Sequence, residues 1–476
     1  MKLKRSFAAA LAVSPLAYAA VKTALMPKKT SDYVPDPDPE REMLYAKKLS
    51  EMVKCDTVSS PDNQDVNKFL RFHKVLEELF PLVHEKLEKT ELNGNLLFYW
   101  KGKSSAKPVI LMSHQDVVPA QGEWEHEPFS GDIEGGKVWG RGSVDTKCTV
   151  MAFLQAVEEL LKDGFTPEQD VYLASSCTEE WAGPGAKTII AELTRRGVKP
   201  FMVCDEGGAI IREPIGGIKG NYAMIGVFEK GKGDLKITAR SDGGHSSAPP
   251  RNSPIARLAA FENRMEKRSP YKKMFYPELE QMFGSLAQYA GFGMRLLFGN
   301  MWLFKPLLKV AMPMISDQAG AMLKTTVAFT MQTGSDACNV LPQEASVCAN
   351  MRYIPHQGMD ESIGILTKIA KKYDLDVEVL NAHDYSSPVD TSGEAWKLVT
   401  GVIEDVFPGL PHSPYVMTGG TDSRFYEDIC PNCIRFGPVV FGPEQLKGMH
   451  GVNEAVDTNC LPGAVDFYKG IIKANK

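Results

Sequence analysis

Imidazole or carboxylate side chains that could bind a metal ion occur at five places along this chain of 476 residues. The acidic ones come just after hydrophobic runs, as residues at the ends of buried strands do. Because ligands bind beyond the carboxyl ends of the strands in open α/β sheets, these side chains are candidates for one site. Nitrogen and oxygen ligands of this kind suit a hydrolytic centre with two zinc ions. In chain order the candidates are His114 with Asp116, Asp145, Glu179 with Glu180, Asp205 with Glu206, and His450.

Taken singly, each motif has a simpler interpretation. A His-x-Asp sequence is more often part of a surface turn, and the adjacent acids Glu179 and Glu180 would favour the dipole of a helix that begins there. Cys430 and Cys433 form a C-x-x-C pair that could bind a metal or act in redox chemistry, but no second pair accompanies it. The chain has nine cysteines, an odd number that does not predict a disulfide framework, so we interpret the pair as buried or incidental thiols.

In their order, the motifs resemble those of the metallopeptidase family that contains aminoacylase, glutamate carboxypeptidase and carboxypeptidase S. The resemblance covers nearly the whole chain after about Pro35. It implies two zinc ions per subunit, which cobalt or manganese can replace. It further implies that His114 binds one ion, that His450 binds the other, and that Asp145 is the bridging carboxylate.

The same resemblance gives roles to the remaining acids. Glu179 becomes the general base and Glu180 a metal ligand, while Asp116 becomes the acid that orients the imidazole or the metal bridge. The last carboxylate ligand is either Asp205 or Glu206, because branches of the family differ at this point. Of the two, Asp205 is the preferred choice.

Other resemblances concern the substrate. His245, in a Gly-Gly-His sequence, resembles a residue that reaches an active site, often that of the partner subunit, and stabilises the tetrahedral intermediate. A histidine beside glycines is otherwise most often a turn residue. Asn339 and Arg352 resemble residues that hold the oxyanion and the carboxylate of a substrate. A glycine loop that would offer backbone N–H donors to the substrate contains Gly419, Gly420 and Thr421.

Strands alternate with helices over residues 96–204, which predicts an α/β fold with a doubly wound, mainly parallel sheet. From about Gly226 the strands alternate between apolar and polar residues, in the order strand, helix, two strands, helix, strand. This order predicts a ferredoxin-like α+β lid domain at 226–384, inserted into a catalytic domain formed by 40–225 and 385–476. The resemblance implies that the lid forms the contact of a homodimer.

Three segments do not follow this pattern of strands and helices. Residues 269–324 form an unusually apolar insertion, which we expect to be helical and to pack on the lid; a membrane contact or an acyl-chain surface is the alternative. Residues 1–30 are basic and then apolar, which predicts a signal peptide or a membrane anchor, with a disordered Ala-rich tail as the alternative. Residues 31–39 form a Pro-rich linker. The chain is therefore expected to be exported or anchored, although a cytoplasmic location stays open.

The formal net charge of −5 argues against nucleic acid as a partner. The resemblance implies zinc-dependent hydrolysis of an amide bond in a small peptide or an N-acyl amino acid with a free carboxylate. The Cys204-Asp-Glu-Gly-Gly stretch and the N-terminal segment favour the carboxypeptidase S branch. A deacylase of the succinyl-diaminopimelate or acetylornithine type is one alternative, and a non-catalytic, membrane-tethered solute-binding protein is another.

Overall fold

The computed structural model describes residues 15–476. Half of the predicted N-terminal signal or anchor, residues 1–14, lies outside this range. None of the helices in the described part has the length and apolarity needed to cross a bilayer. The strands are β1 (Glu88–Leu92), β2 (Asn95–Trp100), β3 (Ser104–Met112), β4 (Ile133–Glu134), β5 (Lys137–Trp139), β6 (Gln169–Ser175), β7 (Met202–Asp205), β8 (Ala209–Arg212), β9 (Asn221–Glu229), β10 (Gly231–Arg240), β11 (Gly244–His245), β12 (Thr326–Thr333), β13 (Val340–Leu341), β14 (Glu344–Tyr353), β15 (Asp376–His383), β16 (His412–Met417), β17 (Cys433–Arg435), β18 (Val440–Phe441) and β19 (Ala455–Asp457).

The remaining elements of secondary structure are helices. A short 3₁₀ helix at Glu179–Trp181 carries the predicted pair of acids. The α-helices are α1 (15–25), α2 (Pro39–Val53), α3 (Val66–Leu79), α4 (Pro81–Lys86), α5 (Lys147–Lys162), α6 (Gly185–Arg195), α7 (Pro254–Lys267), α8 (Pro277–Ala287), α9 (Phe292–Phe298), α10 (Met301–Ile315), α11 (Asp317–Ala321), α12 (Met359–Ala370), α13 (Glu394–Val406), α14 (Ser423–Tyr426), α15 (Pro443–Gly448) and α16 (Leu461–Ala474).

A ten-stranded sheet forms the centre of the catalytic domain, in the order β1-β2-β6-β3-β7-β17-β9-β8-β18, with β16 paired to β9. Its middle strands β6, β3, β7 and β17 run parallel. Residues 109–112 of β3 are apolar and fully buried, as expected of a central parallel strand that is covered on both faces. The predicted α/β fold with a mainly parallel sheet is confirmed.

The lid is a four-stranded antiparallel sheet in the order β12-β14-β10-β15. Residues of α7 and α12 share its separate hydrophobic core. This arrangement confirms the predicted ferredoxin-like order. The chain crosses from β9 of the catalytic sheet to β10 of the lid at Lys230, a few residues after the expected boundary at Gly226. All of β9 is buried in the catalytic sheet. Because β10 follows β9 without a connecting loop, the sequence has no turn signal at this boundary.

The apolar insertion is helical, as predicted, but the expectation that it packs on the lid is wrong. Leu279, Met282, Phe283 and Leu286 of α8 are buried in the core of the catalytic domain. Helix α8 lies against β16, and the hydroxyl groups of Ser285 and Ser413 are 2.6 Å apart. The physical reason is that β16 is a strand of the catalytic sheet, parallel to β9, and the faces of such a sheet need an apolar cover.

The crossing between the two sheets contains a buried cation. The Lys230 ammonium donates to the carbonyl oxygens of Ala321 at 2.9 Å and Lys324 at 3.1 Å, which ties the end of the insertion to the crossing. Burial, together with the nearby charges of Arg352 and Lys324, lowers the pKa of Lys230 from 10.5 to about 7.

This lysine predicts a pH dependence of stability. Between pH 7 and 10.5 the unfolded chain holds a proton at Lys230 that the folded chain lacks, so this residue makes the free energy of unfolding rise with pH, by up to ~1.4 kcal/mol per pH unit. Urea unfolding at pH 7.5 and 9.5 measures the effect as the difference between the wild type and Lys230→Met, which removes the other titrations. An equal pH dependence in both proteins would contradict the assignment.

Candidate metal centre

His114 follows the buried end of β3 and is itself buried. Its Nδ1 lies 2.9 Å from the carbonyl oxygen of Asp116. A carbonyl oxygen can only accept, so Nδ1 carries the proton and Nε2 faces the carboxylate of Asp145, 3.1 Å from Oδ1. Burial alone would lower the pKa of His114, but Asp116 and Asp145 raise it well above its usual value.

Asp145 lies between the two predicted histidine ligands, just before α5. Its Oδ1 faces His114, and its Oδ2 lies 3.0 Å from Nε2 of His450. The same nitrogen of His450 is 3.0 Å from Oε2 of Glu180. Burial alone would raise the pKa of Asp145, but the two histidines hold it below its usual range. The contacts with Asp145 and Glu180 raise the pKa of His450 to about 10.

The paired acids Glu179 and Glu180 lie on the 3₁₀ helix after β6. The carboxylate of Asp116 accepts the backbone N–H of Glu179 on Oδ1 at 3.1 Å and that of Glu180 on Oδ2 at 3.2 Å. The hydroxyl group of Ser59 also donates to this carboxylate. Asp116 thus orients His114 through its carbonyl oxygen, while its carboxylate fixes the backbone of both glutamates.

The centre gathers more buried carboxylates than cations. Burial first, and then the neighbouring acids, raise the pKa of Glu179, Glu180 and Glu206 above their usual values. Oε1 of Glu180 is buried without a hydrogen-bond partner in the described part of the protein. Ligand atoms of His114, Asp145 and Glu180 all lie within 4.8 Å of one another. This donor set, with its orphaned carboxylate oxygen, fits divalent cations.

The two candidates for the last ligand differ in their surroundings. Both carboxylate oxygens of Asp205 already accept backbone N–H groups, that of Glu206 at 2.8 Å and that of Ser423 at 2.9 Å. Glu206 lines the pocket that contains Asp145 and the paired glutamates, whereas Asp205 does not. The geometry therefore favours Glu206, contrary to the preference drawn from the sequence.

A pocket of about 250 Å³ opens onto the centre. The glycine loop with Gly419, Gly420 and Thr421 forms one side of it. The pocket is also lined by the apolar side chains of Tyr415, Met417, Val439, Phe441 and Met449. The pocket thus combines carboxylates, backbone amides and an apolar wall.

Buried Glu229, at the end of β9, holds the glycine loop in place. Its carboxylate accepts the backbone N–H of Thr421 at 2.9 Å and the Thr421 hydroxyl at 2.6 Å. The fully buried guanidinium of Arg435 donates to it from Nε at 2.7 Å. Sequence reasoning missed both residues, although a Glu-Lys pair at the end of the apolar run 222–228 is a signal of buried charge.

A second buried pair, also missed, joins the two loops that carry Asp145 and His450. Glu454 accepts four donors: Arg141 Nη1 at 2.6 Å and the backbone N–H groups of Gly142 at 3.0 Å, Val144 at 2.8 Å and Asp145 at 3.0 Å. Arg141 also donates to the carbonyl oxygen of Gly451 at 2.7 Å. No spacing in the sequence indicates this pair, because its partners are more than three hundred residues apart.

We expect Glu454→Gln to weaken metal binding by about 10- to 100-fold, as loss of an outer-sphere partner does. The amide nitrogen replaces an acceptor with a donor and so faces N–H groups that it cannot satisfy. Competition with a fluorescent chelator measures the affinity. Glu444→Gln, which removes an exposed acid from the same part of the chain, is the control and should bind metal as the wild type does. Equal affinities in both variants would contradict the role of Glu454.

The lid residues lie apart from this centre within one chain. His245 and Asn339 are exposed, on or beside the small β11–β13 pair. The Nδ1 atom of His245 contacts the Ser247 hydroxyl at 2.8 Å. Arg352 is half-buried on β14, near Glu229, and its pKa is lowered by burial. The structure does not bring these three side chains to the pocket at Asp145.

The fold and the centre together are those of a known class of hydrolase. Residues 110–474 match the model of peptidase family M20/M25/M40. Because the match covers most of the chain, the chain belongs to this family. It is a metallohydrolase, which confirms the prediction of an enzyme that hydrolyses amide bonds.

Individual relatives refine this assignment. The chain is 32% identical over 440 residues to a probable carboxypeptidase S-like 2 of Dictyostelium discoideum, which covers 90% of this chain and 84% of the relative. It is 34% identical over 444 residues to an N-fatty-acyl-amino acid synthase/hydrolase of Xenopus tropicalis, with 91% and 86% covered. An M20 family metallo-carboxypeptidase, Sso-CP2 of Sulfolobus solfataricus, shares the fold with a TM-score of 0.67 at 20% identity, over 90% of this chain and 98% of that one.

Proposed function

We propose that this enzyme is a zinc-dependent hydrolase of N-acyl amino acids or small peptides that carry a free carboxylate. The observation that carries the proposal is the position of Asp145, whose two carboxylate oxygens face different histidines at 3.0 to 3.1 Å. A carboxylate in this position suits a bridge between two ions. The names of the two relatives support the same substrate classes.

The chain's own residues divide into two sets that share Asp145. We assign His114, Asp145 and Glu206 to one ion, and Asp145, Glu180 and His450 to the other. When bound, zinc supplies Lewis acidity that lowers the pKa of water towards ~7 and polarises the substrate carbonyl. Cobalt or manganese would supply similar chemistry. We prefer Glu206 to Asp205 because the oxygens of Asp205 are occupied by backbone N–H groups.

Glu179 is the proposed general base. Its side chain lines the pocket together with Asp145, and burial raises its pKa above the usual value for a glutamate. Glu179 would take a proton from the attacking water and give it to the amide nitrogen as the C–N bond breaks, which yields a carboxylic acid and an amine; the acid then loses its proton and the amine gains one, so the products are a carboxylate and an ammonium ion. Asp116 holds the backbone of Glu179 and so keeps the carboxylate at the pocket.

The residues that line the pocket suggest how an N-acyl amino acid would bind in it. The backbone N–H of Thr421 is taken by Glu229, so the amides of Gly419 and Gly420 are the loop's candidate donors to substrate. The apolar wall, with Met417 and Phe441 among its members, suits a hydrocarbon chain or an apolar side chain. We propose that the wall accepts the acyl group of the substrate.

The test is a comparison of kcat/KM over a panel of substrates with purified, zinc-loaded protein. We expect N-acyl amino acids with apolar acyl groups to be hydrolysed faster than N-acetyl analogues, and dipeptides with a free carboxylate to be accepted. Fastest turnover of N-succinyl-diaminopimelate or N-acetylornithine would favour the deacylase alternative. Binding of these ligands without turnover would favour a solute-binding protein.

We also propose that the enzyme is a homodimer in which His245, with Asn339 and Arg352, completes the site of the partner. The exposure of His245 and its distance from the pocket of its own chain support this arrangement. Export or attachment through residues 1–30 is a further proposal, supported by the basic start and the Ala-rich run of that segment. Its test is N-terminal sequencing of protein recovered from the membrane and the medium of expressing cells.

The dimer proposal predicts complementation between inactive variants. Glu179→Gln and His245→Ala are each expected to be inactive alone, whereas mixed dimers pair an intact metal centre with an intact histidine from the other chain. Activity should therefore return when the two variants are mixed under conditions that permit subunit exchange. Exchange is checked with two differently labelled proteins. No recovery, despite proven exchange, would show that His245 does not act across the dimer.

A further inference from the structure

The outer faces of α1 and α10 form an apolar surface. Neither helix carries a candidate catalytic residue. We call this surface the apolar helix pair. Leu25, Met314 and Ile315 are about four-fifths exposed, at 78%, 82% and 79%. The rings of Tyr18 and Trp302 pack edge to face with centroids 6.1 Å apart, which joins the two helices into one patch. Its other exposed apolar members are Leu16, Val21, Leu307 and Val310.

The two helices are anchored on their inner faces. Ala19 and Thr23 of α1 are fully buried, and the Asn300 side chain donates to the Thr23 hydroxyl at 2.9 Å. On α10, Leu308 and Met312 are buried in the core of the catalytic domain. The exposed residues therefore belong to a fixed surface. Exposed apolar patches of this kind usually mark an interaction site.

Charge distinguishes this surface from the rest of the protein. The segments 15–31 and 281–316, which form it, contain no Asp or Glu, whereas the whole chain has a net charge of −5. Lys22, Lys28 and Lys29 are exposed beside the patch, and Lys309 is half-buried. Lys305 pairs with Glu280, which lies outside the two segments, and the remaining cation, Arg295, is buried. The exposed acids next to the patch in the chain are Asp32 and Asp317, so the three exposed lysines outnumber them.

We propose that the apolar helix pair docks on the surface of an anionic lipid bilayer, with both helices lying in the interface. Interfacial helices combine an apolar face with lysines that attract anionic headgroups, and Trp and Tyr favour the headgroup level. Each basic residue near such a surface adds ~1 kcal/mol of attraction. A contact between two copies of the chain is the competing occupant, and light scattering separates the two.

Docking would also orient the enzyme. Helix α8 connects the insertion to β16 through the contact between Ser285 and Ser413, and Tyr415 and Met417 of β16 line the catalytic pocket. The apolar helix pair and the pocket therefore belong to one rigid part of the catalytic domain. The inference goes beyond the proposed hydrolytic function and does not depend on it. It requires that α1, which lies within the proposed export or attachment segment 1–30, stays in the mature chain.

The test uses the full chain and sedimentation with vesicles of phosphatidylcholine, with and without phosphatidylglycerol. We expect the wild type to bind the mixed vesicles and to bind pure phosphatidylcholine more weakly. Leu307→Ser with Val310→Ser should lower the partition coefficient by about tenfold or more, because two exposed apolar side chains no longer enter the lipid. The matched control, Val379→Ser with Leu380→Ser, changes a similarly exposed Val-Leu pair on the lid and should bind as the wild type does.

Three outcomes would overturn the proposal. The first is a wild type that does not bind mixed vesicles, or binds both kinds equally. The second is equal binding by the α10 double variant and the lid control. The third is a change of the oligomeric mass in the α10 variant, by light scattering, without an effect on vesicle binding, which would identify a contact between copies of the chain. Circular dichroism and hydrolysis of a soluble N-acetyl amino acid verify that both variants fold.

Discussion

Glu179→Gln is expected to retain its metal and to lose turnover by about 10²- to 10⁴-fold, the usual contribution of a general base. The substitution keeps the shape of the side chain and removes the group that accepts a proton. The backbone of residue 179 stays held by Asp116, so the geometry of the centre is preserved. Steady-state kinetics and elemental analysis on the same preparation measure both parts of the prediction.

The neighbouring residue provides the matched comparison. Glu180→Gln is the same chemical change one residue along the chain, but Oε2 of Glu180 lies 3.0 Å from His450, in the centre itself. We expect this variant to lose metal as well as turnover. Activity of Glu179→Gln within a few-fold of the wild type, or loss of its metal, would mean that the base is another residue.

Asp145→Asn is expected to have the second large effect. The amide preserves the shape of the side chain, yet it removes the negative charge that both His114 and His450 face. Because the two proposed ion sites share this carboxylate, both should lose affinity together. We expect metal content well below one ion per chain and a loss of turnover at least as large as that of Glu179→Gln, about 10²-fold or more.

The control for this variant is Asp132→Asn. Asp132 is half-exposed and pairs with His126 at 2.9 Å, so it is also an acid bonded to a histidine, but outside the centre. It should keep both its metal and its activity. Retention of one full equivalent of metal by Asp145→Asn would contradict the shared role of this carboxylate.

The fold was predictable because its signals are periodic and local. The buried apolar run of β3 and the strand and helix order of the lid follow directly from residue spacing. The packing of α8 against β16 was not predictable, because an apolar helix face does not specify which apolar surface it will meet. The boundary at Lys230 was also hidden, since β9 and β10 follow each other without a loop.

For the candidate centre, residue types and order in the sequence indicated side chains that the structure places together, such as His114, Asp145 and Glu180. The choice between Asp205 and Glu206 depends on which carboxylate accepts hydrogen bonds from backbone N–H groups, and this is a property of the folded loops. Glu454 could not be identified as a supporting residue from the sequence, for a related reason. Its importance comes from four donors, and all of them lie more than three hundred residues away.

The most direct test of the central claim is elemental analysis of active, desalted protein purified without added metal. The account predicts about two zinc ions per chain, and a fall in metal content and activity together when a chelator removes them. Return of both on addition of zinc is part of the same result. An active preparation that contains no stoichiometric divalent metal would contradict the account.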